Sequence, residues 1–223
     1  MSFPPRYRTA RSRSRGEANG AESRARAVRA AIELFAASGF QGTSIAQVAE
    51  RAGLSQSGLL HHFPSKAALL AAVLEERDAR DGEFLTSADG GRPLGWAAFD
   101  ALAALTARNS TRPHLVGLFV RLTAEATAPD HPAHDWALDH YAGVHAWLVD
   151  AVRAGRERGE MHPGTPPETL ARSTIAVMDG LQQQWLLEPE RVSMVTEFSG
   201  HVAMLRARWG TAERAVVSPG SST

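Results

Sequence analysis

The sequence predicts an all-α fold: an N-terminal three-helix domain containing a helix-turn-helix, then a C-terminal helical bundle, about nine helices in all. Three observations predict it. Apolar residues recur at three- and four-residue spacing from residue 22 to residue 209, and no segment alternates as a strand does. Gly and Pro fall between these segments, where helix ends and starts favour them. The stretch 43–66, TSIAQVAERAGLSQSGLLHHFPSK, reads as two short helices about a tight turn.

That stretch organises the N-terminal domain. Ser44 with Gln47 three residues on is a capping box and starts the first short helix, 45–51. Gly53 supplies the left-handed residue that ends it. In the second short helix, 55–62, the spacing sends Leu59 inward with Ile45, Val48, Ala49, Leu54 and Phe63. Gln56, Ser57, Gly58, Leu60 and His61 are left outside. Such a second helix fits a DNA major groove. The segment 22–38, with Val28, Ile32 and Phe35 inward and Gly39 after its end, buttresses the pair. Pro64-Ser65 breaks the chain before 66–84, where Leu69, Leu70, Val73 and Leu74 face inward.

The run GFQGTSIAQVAERAGLSQSGLLHHFPSKAALLAAVL resembles the N-terminal domain of TetR-family transcriptional regulators in order, spacing and residue type, over residues 25–74. The resemblance implies a DNA-binding regulator with no catalytic role and no cofactor. Its implied DNA contacts are Thr43, Ser44, Ser55, Gln56, Ser57, Gly58, Leu60, His61, His62 and Lys66. Two positions depart from the pattern. Leu60 stands where Tyr is usual and cannot offer a hydroxyl to phosphate; Gly58 stands where Thr or Ser is frequent. Lys66 opens a helix, where a cation opposes the dipole, and the resemblance implies a DNA phosphate as the offsetting anion. Two other readings stay open on residues alone. The motif also suits a helical hairpin with no DNA role, and the whole chain suits a helical module binding a protein partner. Salt-sensitive binding of duplex DNA separates them from the regulator.

Composition narrows the classes. The 223 residues contain no Cys, which removes disulfides, thiolate metal sites and Cys nucleophiles. No apolar run approaches the roughly 20 residues that span a bilayer, and no apolar stretch follows the first arginines as in a secretory signal. A cytoplasmic protein without a membrane role is expected. The net charge of zero hides a split: residues 1–70 hold ten Lys/Arg against four Asp/Glu. The positive part coincides with the helix-turn-helix, which suits contact with phosphates. Residues 1–20, with five arginines and no apolar periodicity, are expected to be a disordered basic arm, either tracking DNA or merely solvated.

Five further helical segments follow a turn-rich joint at 87–92. They start at Pro93 (Leu94, Ala98, Ala101, Leu105), at Pro113 (Leu115, Leu118, Phe119, Leu122) and at 135, where Leu138, Tyr141, His145, Leu148 and Val152 face inward. Thr165-Pro166-Pro167-Glu168 reads as a capping box opening a helix that ends at 187, and the last helix runs 190–209. The expected division is an arm at 1–20, a DNA-binding domain at 21–66, an effector-binding and dimerisation domain at 67–210, and a disordered tail at 211–223.

The last two helices carry apolar residues on more than one side, so each needs two neighbours. The resemblance implies a homodimer through them, assigned to Val177, Leu181, Trp185, Val195, Phe198, Val202 and Leu205. It also implies an effector pocket in the C-terminal half, with Trp96, Phe119, Trp136, Tyr141, His145, Trp147, Met178 and Gln182 as candidate lining for a small apolar or aromatic ligand. Most of these also suit a plain helical core. His134 and His140 are neither three nor four residues apart, and His131 with His134 sits across Pro132, so this cluster, near Asp130, Asp135 and Asp139, reads as a solvated polar loop rather than a metal site. No nucleophile elbow, P-loop, dinucleotide fingerprint or zinc-protease motif occurs.

Overall fold

The computed structural model describes residues 10–86 and 90–211. Among them the elements are nine α-helices: α1 (Ala10–Ser38), α2 (Ile45–Ala52), α3 (Gln56–His62), α4 (Lys66–Phe84), α5 (Trp96–Asn109), α6 (Pro113–Glu125), α7 (His134–Glu157), α8 (Pro167–Leu187) and α9 (Met194–Trp209). The β-type pairing among the described residues is a single isolated bridge, Met161 with Gly210. The chain divides into two compact units, one of residues 1–83 with 112–139, the other of 84–111 with 140–223. By packing, therefore, α6 and most of α4 group with the helix-turn-helix.

In the first unit α1 packs against α2, α3 and α6. Phe35, Val48, Leu59, Leu69, Leu70, Val73, Leu118 and Leu122 fill its core. Each such side chain adds about 1.5–3 kcal/mol over its exposed state, which is why two helices of eight and seven residues hold at all. In the second unit α9 packs against α5 and α8. Its core is built on Phe99, Leu102, Leu148, Val152, Met161, Ile175 and Phe198.

Several element boundaries differ from the sequence expectation. The arm is not irregular throughout, because α1 is helical from Ala10. No proline intervenes between Pro5 and Pro64, and Ala and Arg extend an established helix readily. Residues 1–9, 87–89 and 212–223 lie outside the described residues, and with them the start of the arm, part of the joint and nearly all of the tail. Helix α5 begins at Trp96, not Pro93. Its N-cap is Gly95 at φ +63, without a side-chain cap, and the carboxylate of Glu160 takes that role by accepting from Trp96 N–H at 3.2 Å. The Pro93 carbonyl instead receives the Trp147 indole N–H at 2.9 Å.

Thr165 does not cap α8. Its hydroxyl donates to the His162 carbonyl at 2.6 Å, and Pro166 is the N-cap, with Pro167 first in the helix. Helix α9 starts at Met194, where Ser193 accepts from Thr196 N–H; a turn closed by Arg191 and Val192 N–H on the Glu188 carbonyl precedes it. In α7, Trp136 and Ala137 join the first unit's core and leave Leu138 58% exposed rather than inward.

Candidate nucleic-acid interface and C-terminal core

The helix-turn-helix is built by local devices. The Ser44 hydroxyl accepts from Gln47 N–H at 3.2 Å while the Gln47 side chain accepts from Ser44 N–H at 2.8 Å. Gly53, at φ +64, closes α2 by donating to the carbonyls of Ala49 and Glu50. Ser55 caps α3 by accepting from Gly58 N–H at 3.0 Å. Side chains of α1 brace α2: Arg26 donates to the Ala52 carbonyl at 3.1 Å, and Glu33 accepts two bonds from Arg51.

These devices fix which α3 side chains face outward. Ser55, Gln56, Ser57, Leu60 and His61 are exposed, with Leu60 42% accessible, while Leu59 is fully buried beneath them. Gly58 and His62 are half-buried. Gln56 and Ser57 offer donors and acceptors suited to base edges. A Cβ at Gly58 would lie 3.1 Å from Ser55 Oγ, a close contact, although the same serine cap is made over Gln47 and Ala68. Leu60 presents an apolar surface beside the polar ones.

Two candidate DNA contacts are placed otherwise. Thr43 is 3% exposed, and its hydroxyl donates to the carbonyls of Gly39 (2.8 Å) and Leu34 (3.2 Å), so its side chain secures the turn after α1. Ser44 beside it is exposed. The Lys66 ammonium donates to the carbonyls of Phe40 (2.9 Å) and Thr43 (3.0 Å) and sits 4.4 Å from the Phe40 ring centroid. Two of its three protons are thus spent inside the protein.

A model of the bacterial regulatory proteins of the tetR family matches residues 27–73, and a model of the BetI-type transcriptional repressor C-terminal domain matches residues 97–205. The HTH-type transcriptional regulator TtgR of Pseudomonas putida is 30% identical over 186 residues, covering 78% of this chain and 85% of TtgR. The chain belongs to the TetR family. It is therefore a DNA-binding transcriptional regulator, and not an enzyme. A solved TetR regulator from Chloroflexus aurantiacus J-10-FL shares the fold at a TM-score of 0.73 and 24% identity, over 87% of this chain and 99% of that one. SmeT in complex with triclosan does so at a TM-score of 0.73 and 19% identity, over 89% of this chain and 96% of SmeT.

The effector-lining candidates of this TetR-family chain fall into both units. Phe119 and Trp136, in the first, enclose the Arg77 guanidinium of α4, which lies 4.1 Å from one ring centroid and 5.8 Å from the other. Trp136 also donates to Asp78 at 2.7 Å, and Asp78 pairs with Arg77 at 2.9 Å. These aromatics hold α4 to α6 and α7.

The other six candidates lie in the second unit, and two of them are structural. Trp147 is 7% exposed and tied to Pro93; Trp96 donates its indole N–H to the Glu160 carbonyl at 3.0 Å. Tyr141 donates to Asp179 at 2.9 Å, linking α7 to α8, and Met178 packs half-buried on the core. His145 Nε2 and Gln182 Oε1 are buried without a hydrogen-bond partner among the described residues. Thr174 Oγ1, one or two turns before Met178 and Gln182 on α8, is in the same condition. Sequence reading missed Thr174, since a threonine amid Leu170, Ile175 and Val177 gives no signal until its burial is known.

The expected dimer residues also divide. Phe198 is fully buried and Val202 is 4% exposed, both inside the second unit's core, so they hold the protomer together rather than face a partner. Val177, Leu181 and Leu205 are partly buried against the same core, and Trp185 and Val195 are half-buried. Outward on α8 stand Ala176, Gln183 and Leu187, with the half-buried Gly180 between them; on α9, Gly200, Ala203, Met204 and Ala207. Leu187 is 74% and Met204 66% exposed. Among the described residues no group of three or more His, Cys, Asp or Glu is arranged to hold a metal, and no helix is long and apolar enough to cross a membrane.

Proposed function

We propose that this regulator is a homodimeric repressor, released from a near-palindromic operator by a small, mostly apolar or aromatic ligand held in its C-terminal half. The observation that carries the DNA reading is α3 itself: a capped helix on a buried Leu59, presenting Gln56, Ser57, Leu60 and His61 outward. Two such helices, about 34–36 Å apart in a dimer, would enter successive major grooves. The outward Leu187, Ala203 and Met204 of α8 and α9 support that dimer, because small residues let helices approach and exposed large ones favour burial.

Repression is supported by the BetI-type repressor model that matches residues 97–205. The ligand is supported by SmeT, which was solved with triclosan, and by the unpartnered His145, Thr174 and Gln182. Buried polar atoms without partners cost about 1–3 kcal/mol each, and a ligand that supplied the partner would recover it. Release then follows if the ligand binds the DNA-free arrangement more tightly than the DNA-bound one.

Genome-wide selection of binding sites tests the reading, and the genes beside the recovered sites would indicate the ligand. With that DNA, Gln56→Ala is expected to weaken binding by about 1–3 kcal/mol and to relax preference at one base position of each half-site. Unchanged affinity and an unchanged recovered sequence would remove Gln56 from the interface.

A further inference from the structure

The turn between α1 and α2 is held by side chains from two other helices. Glu125, the last residue of α6, accepts the Phe40 N–H at Oε2 (3.0 Å) across 85 residues of sequence. Lys66, the first residue of α4, donates to the Phe40 and Thr43 carbonyls. Both backbone groups of Phe40 are therefore held by charged side chains of opposite sign. The Phe40 ring is fixed as well, with Phe35 at 5.8 Å, the edge of His131 at 5.2 Å and the Lys66 ammonium above it. His131 Nε2 lies 3.3 Å from Glu125 Oε2, and its Nδ1 accepts from Ala133 N–H. Hydrogen bonds to charged groups are stronger than those between neutral ones.

We propose that Glu125 and Lys66 form a clamp on Phe40 that sets the orientation of the helix-turn-helix, making Glu125 a positioning residue for sequence-specific DNA binding. Four residues after Phe40 comes Ser44, the N-cap of α2, and α2 carries α3. A shift of the turn is a shift of the recognition helix. The clamp rests on the DNA-binding reading of α3 and adds the α6 residue on which its placement depends.

The sign of the charge makes the idea testable. Glu125 is an anion, so its removal from a protein that binds a polyanion should, if anything, tighten non-specific binding. A loss confined to the specific site must come from geometry. Full-length wild type, Glu125→Ala and Glu125→Gln are compared on a duplex recovered by selection with wild type, and on a scrambled duplex of equal length, across a salt series. Glu125→Ala is expected to bind the selected duplex at least tenfold more weakly, with the scrambled duplex unchanged or slightly tighter and the salt slope unaltered. Glu125→Gln, whose amide oxygen still accepts from Phe40 N–H, is expected to recover most of the loss.

Amide hydrogen exchange supplies the second measurement, with faster exchange expected at Phe40 and the start of α2 only. Wild-type affinity in Glu125→Ala overturns the clamp. So does a loss of protection spread through the whole first unit, which would make Glu125 a general stabiliser. A wild-type protein that enriches no sequence would instead defeat the DNA-binding reading, and the clamp's role in it.

Discussion

A carboxylate introduced at Phe198 is expected to unfold the second unit, whereas one introduced at Met204 is expected to leave the protomer folded and separate the proposed dimer. Both residues sit on α9 and six positions divide them, yet one is fully buried and the other 66% exposed. Removing a buried Phe side chain costs about 3–5 kcal/mol, and an unpaired carboxylate in its place adds several more. That sum rivals the whole stability of a domain, about 5–15 kcal/mol. Phe198→Asp should thus lose helical signal at ambient temperature. Met204→Glu places its charge in water in the protomer, so its cost arises only where a second copy would cover it. Sedimentation at micromolar concentration, read beside helicity, checks both. A Met204→Glu protein that stays dimeric puts the interface elsewhere, and a folded Phe198→Asp protein contradicts the packing of α9 on α5.

The contrast between those two residues also shows what sequence could convey. Periodicity on α9 identifies an apolar side at Val195, Phe198 and Val202, but not which neighbour covers it. Coverage by α5 depends on the chain's return across the 106 residues that separate Asp100 from Arg206. Devices closed within a few residues were legible: the Ser44–Gln47 box and the Gly53 turn both follow from short-range chemistry. Thr165 shows the limit of that rule, since the same residue types sit one position too early for α8, and the hydroxyl turns back to His162 instead.

Long-range polar partners gave no local signal. Lys66 read as a cation awaiting phosphate because the carbonyls that receive it lie 23 and 26 residues upstream. Glu160, the substitute cap of α5, is 64 residues from the N–H it accepts. In α3 the outward Gln56, Ser57, Leu60 and His61 were legible because Leu59 and Phe63 fixed the inward side, while Gly58, expected outward with them, is half-buried.

Gly39→Ala is expected to cost markedly more stability than Gly53→Ala, by up to about 1.5–3 kcal/mol, the worth of one hydrogen bond to a charged group. Both glycines end helices in the left-handed region, at φ +72 and φ +64. An L-residue there costs about 1–2 kcal/mol at either site. Beyond that penalty the two differ. Gly53 has open space where a Cβ would go, while at Gly39 the Cβ would overlap Glu125 Oε1 and crowd Arg121 Cδ at 3.3 Å. The carboxylate must then retreat from the Phe40 N–H it accepts. Urea unfolding of the two variants, and of Gly39→Ala combined with Glu125→Ala, isolates this second term. In the Glu125→Ala background the Gly39 substitution should fall to the cost seen at Gly53, because the obstructing carboxylate is gone. Equal costs for the two glycines in the wild-type background would mean that Glu125 yields freely, and that the Phe40 turn is not tightly held from α6.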